Sequence, residues 1–184
     1  MLQFNFDPFP TITTDRLLLR QITSDDANEI LSLRCNKEVM QYLDRDPLQT
    51  TEEAVQLIQK ITDSLESNDG ITWGIELKTG SALIGTIGFW RTDKQNLRAE
   101  IGYMLHPAYQ RKGVVQEALT MALDYAFNTM HVHSIEANVN KDNVASMKLL
   151  EKNNFVKEAH FRENYYYNGQ FLDSVIYSLL TPRN

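Results

Sequence analysis

Residues 110–115, Gln-Arg-Lys-Gly-Val-Val, are the stretch of this chain best suited to hold an anion. They stand between a strand-like segment and a long helical pattern. The unpaired N–H groups of a helix's first turn and the positive end of its dipole meet there, and both suit a phosphate. A pyrophosphate wants successive backbone amides curled around it, with glycine where a side chain would block approach, and Gly113 holds that place. Arg111 and Lys112 add positive charge at the rim. The stretch is not a Walker A loop, and no Gly-x-Gly-x-x-Gly follows a strand. One glycine at a helix start is, taken alone, more often just the way a helix begins. Two other chemistry-bearing residue sets read as structural. His131-x-His133 has no nearby acid or cysteine to complete a metal set. Cys35 falls on a helical stripe and reads as core packing, with no His or Asp pattern to make it a nucleophile.

The elements that must position the loop are legible on both sides of it. Leu97, Ala99, Ile101, Tyr103 and Leu105 alternate with Arg98, Glu100, Gly102, Met104 and His106, which predicts a strand ending near Pro107. After Gly113, polar Gln116, Thr120, Asp124 and Asn128 recur every four residues opposite Ala118, Leu119, Ala122, Ala126 and Phe127, an amphipathic helix. Upstream, residues 1–15 read as irregular, 16–22 as a first strand, and Thr23-Ser-Asp-Asp as the cap of a helix running to about Cys35. A short helical piece falls at 39–43. Thr50 opens a further helix with the stripe Ala54, Leu57, Ile58, Ile61 and Leu65, ended by Asn68-Asp-Gly70. Residues 72–77 and 82–90 form a hairpin, in which Gly85 and Gly88 signal a bulge or a close backbone approach. A strand at 134–138, a helix at 143–152, and strands at 155–166 and 171–180 about the Asn168-Gly169 turn complete the chain. The fold class is therefore α+β (mixed α/β).

At 184 residues, 42% hydrophobic and 23% charged, the chain fits one globular domain with a proper core. No apolar run approaches the roughly 20 residues of a membrane span, and the N-terminal residues do not have the pattern of a signal peptide. One cysteine allows no internal disulfide and fits a reducing compartment, so a cytoplasmic location is expected. A net charge of −6 argues against nucleic acid as a partner and is compatible with a cationic substrate, though a modest acidic balance ordinarily reflects solubility.

Several motifs together resemble a known family. Glu100-Ile-Gly-Tyr-x-Leu-x-Pro-x-x-Gln110-x-x-Gly113, a long helix, and then Asn143-x-x-Ser146-x-x-Leu-Leu-Glu-Lys-x-x-Phe155 are similar to the GNAT superfamily of N-acetyltransferases. Thr14-Asp-Arg-Leu-Leu-Leu-Arg20 and Tyr165-x-x-Asn168-Gly169-x-x-x-Asp173 resemble its RimJ/RimL branch, the ribosomal-protein N-terminal acetyltransferases. The resemblance implies one N-acetyltransferase domain over residues 1–184. Its sheet would be central, twisted and mostly antiparallel, with about seven strands flanked by about four helices. It implies acetyl-CoA as co-substrate, no metal, and an amine acceptor, foremost a protein N-terminus. A polyamine or aminoglycoside acceptor, or a CoA-binding module without catalysis, are the other readings. No nucleic acid or membrane is implied, and a monomer and a homodimer are both compatible.

Carried over by position, the amides of Arg111, Lys112, Gly113, Val114 and Val115 would cradle the CoA pyrophosphate, with Gln110 opening the loop. The pantetheine arm would lie along Met104 and Leu105, with Asn143 contacting it and the Leu105 amide polarising the thioester carbonyl. Glu100 is the candidate base, although roughly 13 Å of strand separates it from Met104, so a water relay or a spanning substrate is required. Its alternative role is a surface ion pair with Arg98 or a neighbour. Ser146 would serve the leaving sulfur, since Leu150 stands where many members carry tyrosine, or it is simply a small residue at a packed face. Val115 replaces a usual Gly or Ala, and Asn154 replaces a usual Gly in a left-handed helix cap. Tyr165, Tyr166 and Tyr167 read chiefly as strand. One of them, or Glu163, is a candidate for the acceptor pocket, and Asp173 either meets the substrate amine or braces the hairpin.

Overall fold

The computed structural model describes residues 4–182, so the first three residues of the irregular lead-in lie outside the described residues. Its strands are β1 (Ile12–Thr13), β2 (Leu17–Gln21), β3 (Ile71–Leu77), β4 (Leu83–Asp93), β5 (Arg98–Leu105), β6 (Ser134–Val139), β7 (Val156–Tyr167) and β8 (Gln170–Leu180). They form one sheet in the order β1-β2-β3-β4-β5-β6-β8-β7, antiparallel everywhere except between β5 and β6. The helices are α1 (Ala27–Cys35), α2 (Lys37–Met40), α3 (Thr51–Glu66), α4 (Val114–Asn128) and α5 (Val144–Lys152). This is the mixed α/β architecture expected. The eighth strand is β1, two residues long. The fifth helix is α2, a single turn whose first amides are capped by the Asn36 carboxamide, beginning two residues before the helical piece expected at 39–43.

Local chemistry accounts for the boundaries. Thr50 accepts from the Glu53 amide while the Glu53 carboxylate reaches back, a capping box that starts α3. Asn154 at φ 64° closes α5 in the left-handed conformation expected of it, and Asn168 and Gly169, at φ 47° and 82°, make the hairpin turn between β7 and β8. Gly85 and Gly88 mark close approaches. A Cβ there would lie 2.4 Å from the Met104 and Ile71 carbonyl oxygens respectively. The strand also carries the expected irregularity, because Ile75 faces Gly85 whereas Glu76 faces Leu83, which leaves Ile84 as the extra residue.

The main core joins Leu17, Leu19, Trp73, Ile75, Ile87, Phe89, Ala99 and Ile101 of the sheet to Ala118, Leu119, Ala122 and Ala126 of α4. A smaller cluster seats α1 and α3, through Ile30, Leu33, Ala54 and Ile58, against Ile22 and Leu83. Cys35 does not belong to either: as the last residue of α1 it is exposed, contrary to its reading as core, because the helix stripe ends at Leu33. Among the described residues no helix is long and apolar enough to cross a membrane.

Candidate active site

The site arises from a fault in the sheet. β5 pairs with β4 to its end, but with β6 only where Arg98–Glu100 meet Ser134–Glu136. Beyond that point β6 stays with β8, the strands diverge, and the edge of β5 from Ile101 to Leu105 has no strand beside it. Two hollows of about 530 and 490 Å³ occupy the wedge. They share Tyr42, Leu43, Tyr103, Met104, Asn143 and Ser146, and so form one cleft with two sides.

The larger side takes in the loop that starts α4. Gln110, Arg111, Gly113, Val114 and Val115 line it together with Met104, Leu105 and Asn143. The loop turns through two left-handed residues, Arg111 at φ 59° and Gly113 at φ 75°, before α4 begins. A Cβ on Gly113 would meet nothing closer than Arg16 Nη2 at 3.6 Å, so φ and not crowding demands glycine there. Gln110 donates to the Leu105 carbonyl at 3.4 Å, tying the loop to the end of β5. Lys112 stands apart, its ammonium turned back to the Ala108 carbonyl at 2.8 Å, so only Arg111 brings a cationic side chain to the lining. Val115 packs its side chain against the main core, which leaves its amide free to act as the smaller residue's would. Nothing in the loop's own sequence shows what holds it. Arg16, almost a hundred residues earlier, donates to the Lys112 carbonyl at 3.1 Å and to Glu117 of α4 at 2.7 Å, and Thr14 caps the turn before it.

The smaller side is built of side chains. The register sets Thr86, Gly88 and Trp90 opposite Met104, Gly102 and Glu100, all on one face. A Cβ on Gly102 would fall 1.8 Å from Trp90 Cη2, so the indole lies across that glycine, in the interval between Glu100 and Met104. Glu100 is only 9% exposed and accepts from Arg91 at 3.1 Å. Arg98, the partner named for it, pairs with Glu136 instead, reaching diagonally across the short parallel pairing in which Glu136 itself stands opposite Glu100. Ser146 and Tyr103 share a hydrogen bond of 2.7 Å between Oγ and Oη. Burial raises the Tyr103 phenol to about 12, with the Ser146 bond pulling weakly the other way. Asn143 caps α5 by accepting from the Ser146 amide at 3.0 Å, which holds that serine in place. Leu150 is fully buried in the core and absent from the cleft lining.

Sequence reasoning missed Tyr103 as a cleft residue. Alternation put it on the core side, and only the divergence of β5 from β6 lets its hydroxyl reach α5. Of the three consecutive tyrosines, Tyr165 lines the cleft and donates to Asp44; burial and that carboxylate raise its pKa. Tyr167 donates to Asp46 at 3.1 Å, so the two together clasp the loop after α2 to the terminal hairpin. Tyr166 instead packs on Phe171, their centroids 5.1 Å apart. Glu163 and Asp173 lie off the cleft. Asp173 braces the hairpin through the Glu163 amide at 2.9 Å, His160 at 2.8 Å and Lys141 at 3.4 Å, and these hold its pKa down at about 2. Among the described residues no group of three or more His, Cys, Asp or Glu is placed to hold a metal.

A cleft opened in a mixed sheet beside a helix-start loop can hold an extended ligand with an anionic end, and comparison with known proteins gives the class. The chain belongs to the GNAT acetyltransferases: the model of the acetyltransferase (GNAT) domain matches residues 16–156. It is 39% identical to the uncharacterized N-acetyltransferase YoaA of Bacillus subtilis over 95% of this chain and 99% of that one. It is 28% identical to the [ribosomal protein uS5]-alanine N-acetyltransferase of Escherichia coli, over 95% of this chain and 93% of that one. Among solved structures, spermidine N-acetyltransferase from Vibrio cholerae in complex with CoA and spermine superposes with a TM-score of 0.80 at 26% identity, over 91% of this chain and 97% of that one. The protein is an N-acetyltransferase with acetyl-CoA as its co-substrate, and the acceptor is an amine.

Proposed function

We propose that the acceptor is the N-terminal amine of a polypeptide, as in the RimJ/RimL branch, and that the chain works as one domain in the cytoplasm. The observation that carries this reading is the charge of the acceptor side. Arg34, Arg45 and Arg91 line it with only Asp44 and Glu100, and both carboxylates are already engaged, by Tyr165 and Arg91. A polyamine or aminoglycoside is a polycation and wants the reverse balance. Four asparagines on the same wall, Asn138, Asn140, Asn143 and Asn164, offer the paired donors and acceptors that a peptide backbone needs. The uS5-alanine N-acetyltransferase of Escherichia coli, a relative of this chain, supports the same class of acceptor.

Acetyl-CoA supplies an acetyl group on a thioester. In this proposal the loop amides from Arg111 to Val115 hold its pyrophosphate, and the free edge of β5 at Met104 and Leu105 takes the pantetheine as an added strand. The acceptor nitrogen attacks the carbonyl carbon, the carbon–sulfur bond breaks, one proton leaves nitrogen and one reaches sulfur. Glu100 takes the amine's proton. Because the Trp90 indole fills the interval, the proton travels around the ring through water or along the acceptor. Tyr103 and Ser146 face the leaving thiolate. A phenol near 12 is a weaker acid than a thiol near 8.5, so the pair steadies the thiolate by hydrogen bonding and does not protonate it outright, and the proton that reaches sulfur is taken from solvent water as the product leaves. Orientation then supplies much of the rate.

The test is thiol release from acetyl-CoA with N-terminal peptides, those of ribosomal proteins included, set against spermidine and an aminoglycoside. A peptide kcat/KM at least tenfold above spermidine is expected. Preference for spermidine overturns the reading.

A further inference from the structure

Arg34 is the buried arginine of the cleft lining, and the cleft offers its charge no partner; Arg45 and Arg111, which line it as well, are exposed to water. It lies in the last turn of α1 and is only 7% exposed. Its Nε is fully buried and has no hydrogen-bond partner among the described residues, and Nη1 reaches no oxygen, only the Met104 sulfur at 3.9 Å. Arg16, Arg20, Arg91 and Arg98 are all paired with carboxylates. The two acids on the wall nearest to serving Arg34 are spoken for, Glu100 by Arg91 at 3.1 Å and Asp44 by Tyr165. Burial, with the like charge of Arg45 behind it, disfavours the charged form of Arg34. Burying a guanidinium without a partner is costly, and the negative end of α1 offsets only part of that cost. A hydrocarbon side chain would fill the same space more cheaply. Such an unanswered fork of donors, aimed into a cleft beside Met104, suits a planar anion that arrives with the substrate.

We propose that Arg34 binds a carboxylate carried by the acceptor close to its amine. The proposal rests on the reading of this side of the cleft as the acceptor side. The carboxylate has two possible sources with one chemistry, an acidic side chain at the second position of a peptide or the α-carboxylate of a free amino acid. In either case the guanidinium and the thioester end of the cleft fix the acceptor at two points, which aligns its nitrogen. The same cation repels an acceptor that brings a second positive charge.

The experiment compares isosteric acceptors. Peptides with Asp or Asn, and Glu or Gln, at the second position, and free amino acids with their amides, are assayed by thiol release. Binding of each to the CoA-loaded protein is measured in parallel by calorimetry. The wild-type protein is expected to favour the acid of each productive pair by about tenfold or more in kcat/KM, in line with a hydrogen bond to a charged group. The pair that shows it identifies the source. In Arg34→Met the acid-to-amide ratio falls to about one, and in Arg34→Lys it lies between. Arg34→Met also melts at a higher temperature than wild type, because the unanswered charge is gone; a purely structural arginine would give a lower one.

Equal use of acid and amide by the wild-type protein overturns the proposal without any variant, and so does an unchanged ratio in Arg34→Met. Acetylation of peptides regardless of charge removes the Arg34 role and leaves the peptide-acceptor reading standing. Arg34-dependent carboxylate binding with no acetylation of any peptide does the opposite.

Discussion

The two sides of the cleft are made of different material. The proposed donor side joins the end of β5 to the loop 110–116, with α2, the turn after it, and Asn143 with its helix around them, and it presents the loop's backbone and a left-handed glycine. The acceptor side gathers single side chains from α1, the loop after α2, β4, β5, β6 and the terminal hairpin. A backbone site tolerates changes of side chain and fails when a dihedral is changed. A side-chain site keeps its shape under many substitutions and changes what it accepts. The contrast accounts for a family that keeps one cofactor and varies its acceptors.

The largest expected effect tests the backbone half. Gly113→Val forces a β-branched residue to φ 75°, and the loop must rearrange. CoA Kd by calorimetry is expected to rise by about 30-fold or more, whereas Lys112→Ala, with its side chain turned away, is expected to change it by less than about twofold. Comparable losses in the two variants would end the claim that the donor side is backbone-built. Next comes Glu100→Gln, expected to lower kcat by about tenfold to a hundredfold across pH 6 to 9. Unchanged turnover across that range would remove Glu100 from the mechanism. Tyr103→Phe and Ser146→Ala each delete one end of a 2.7 Å hydrogen bond and are expected to cost about tenfold in kcat, with CoA Kd within about threefold of wild type. A rise in Kd that matches the loss in kcat would move both residues to the donor side.

Two smaller effects concern support. Arg16→Ala removes the brace on the Lys112 carbonyl and is expected to raise CoA Kd about threefold while leaving the acceptor preference alone. A shift in preference instead would mean that the two sides are not separable. Asp173 shows the opposite case, structure without chemistry. Its pKa of about 2 lies below the ordinary carboxylate value, so its contribution to stability is complete above about pH 4 and is lost as pH falls through 2. Asp173→Asn is expected to flatten the acid limb of a thermal-melt titration and to leave thiol release at pH 7.5 close to wild type. A marked drop in turnover would bring Asp173 back to the substrate.

What could be read in advance follows the same division. Strand β5, the loop and α4 are contiguous, so alternation, a proline, a glycine and a four-residue polar repeat specify them almost to the residue. Caps at Thr50, Asn143 and Asn154 and the Asn168-Gly169 turn are equally local. Arg34, Trp90 and Tyr103 are different. Each belongs to an element that was recognised, but its role comes from what lies opposite it, and no local pattern encodes the parting of β5 from β6. Arg16 makes the point from the other side. The motif around it was visible as a resemblance, while its work, a hydrogen bond to a loop carbonyl far along the chain, became apparent only when the fold brought them together. The ion pair expected of Glu100, with Arg98 or a neighbour, falls to the neighbour for a related reason: Arg91, at φ 46°, sits where β4 and β5 slip register beyond Trp90.

The short pairing between β5 and β6 has a mechanical meaning. Among the described residues, three residue pairs are the only strand-to-strand joint between the half of the sheet that carries α4 and the half that carries the terminal hairpin, like a book bound along a short spine. A ligand that lies down as a strand in the opening lengthens that spine. Filling the cleft should therefore act as one more step of folding, adding RT ln(1 + [L]/Kd) to the stability of both halves together. Amide hydrogens of residues 101–105 and 137–139 would slow their exchange in concert when CoA is added, and the substrate would itself be part of what keeps the sheet whole.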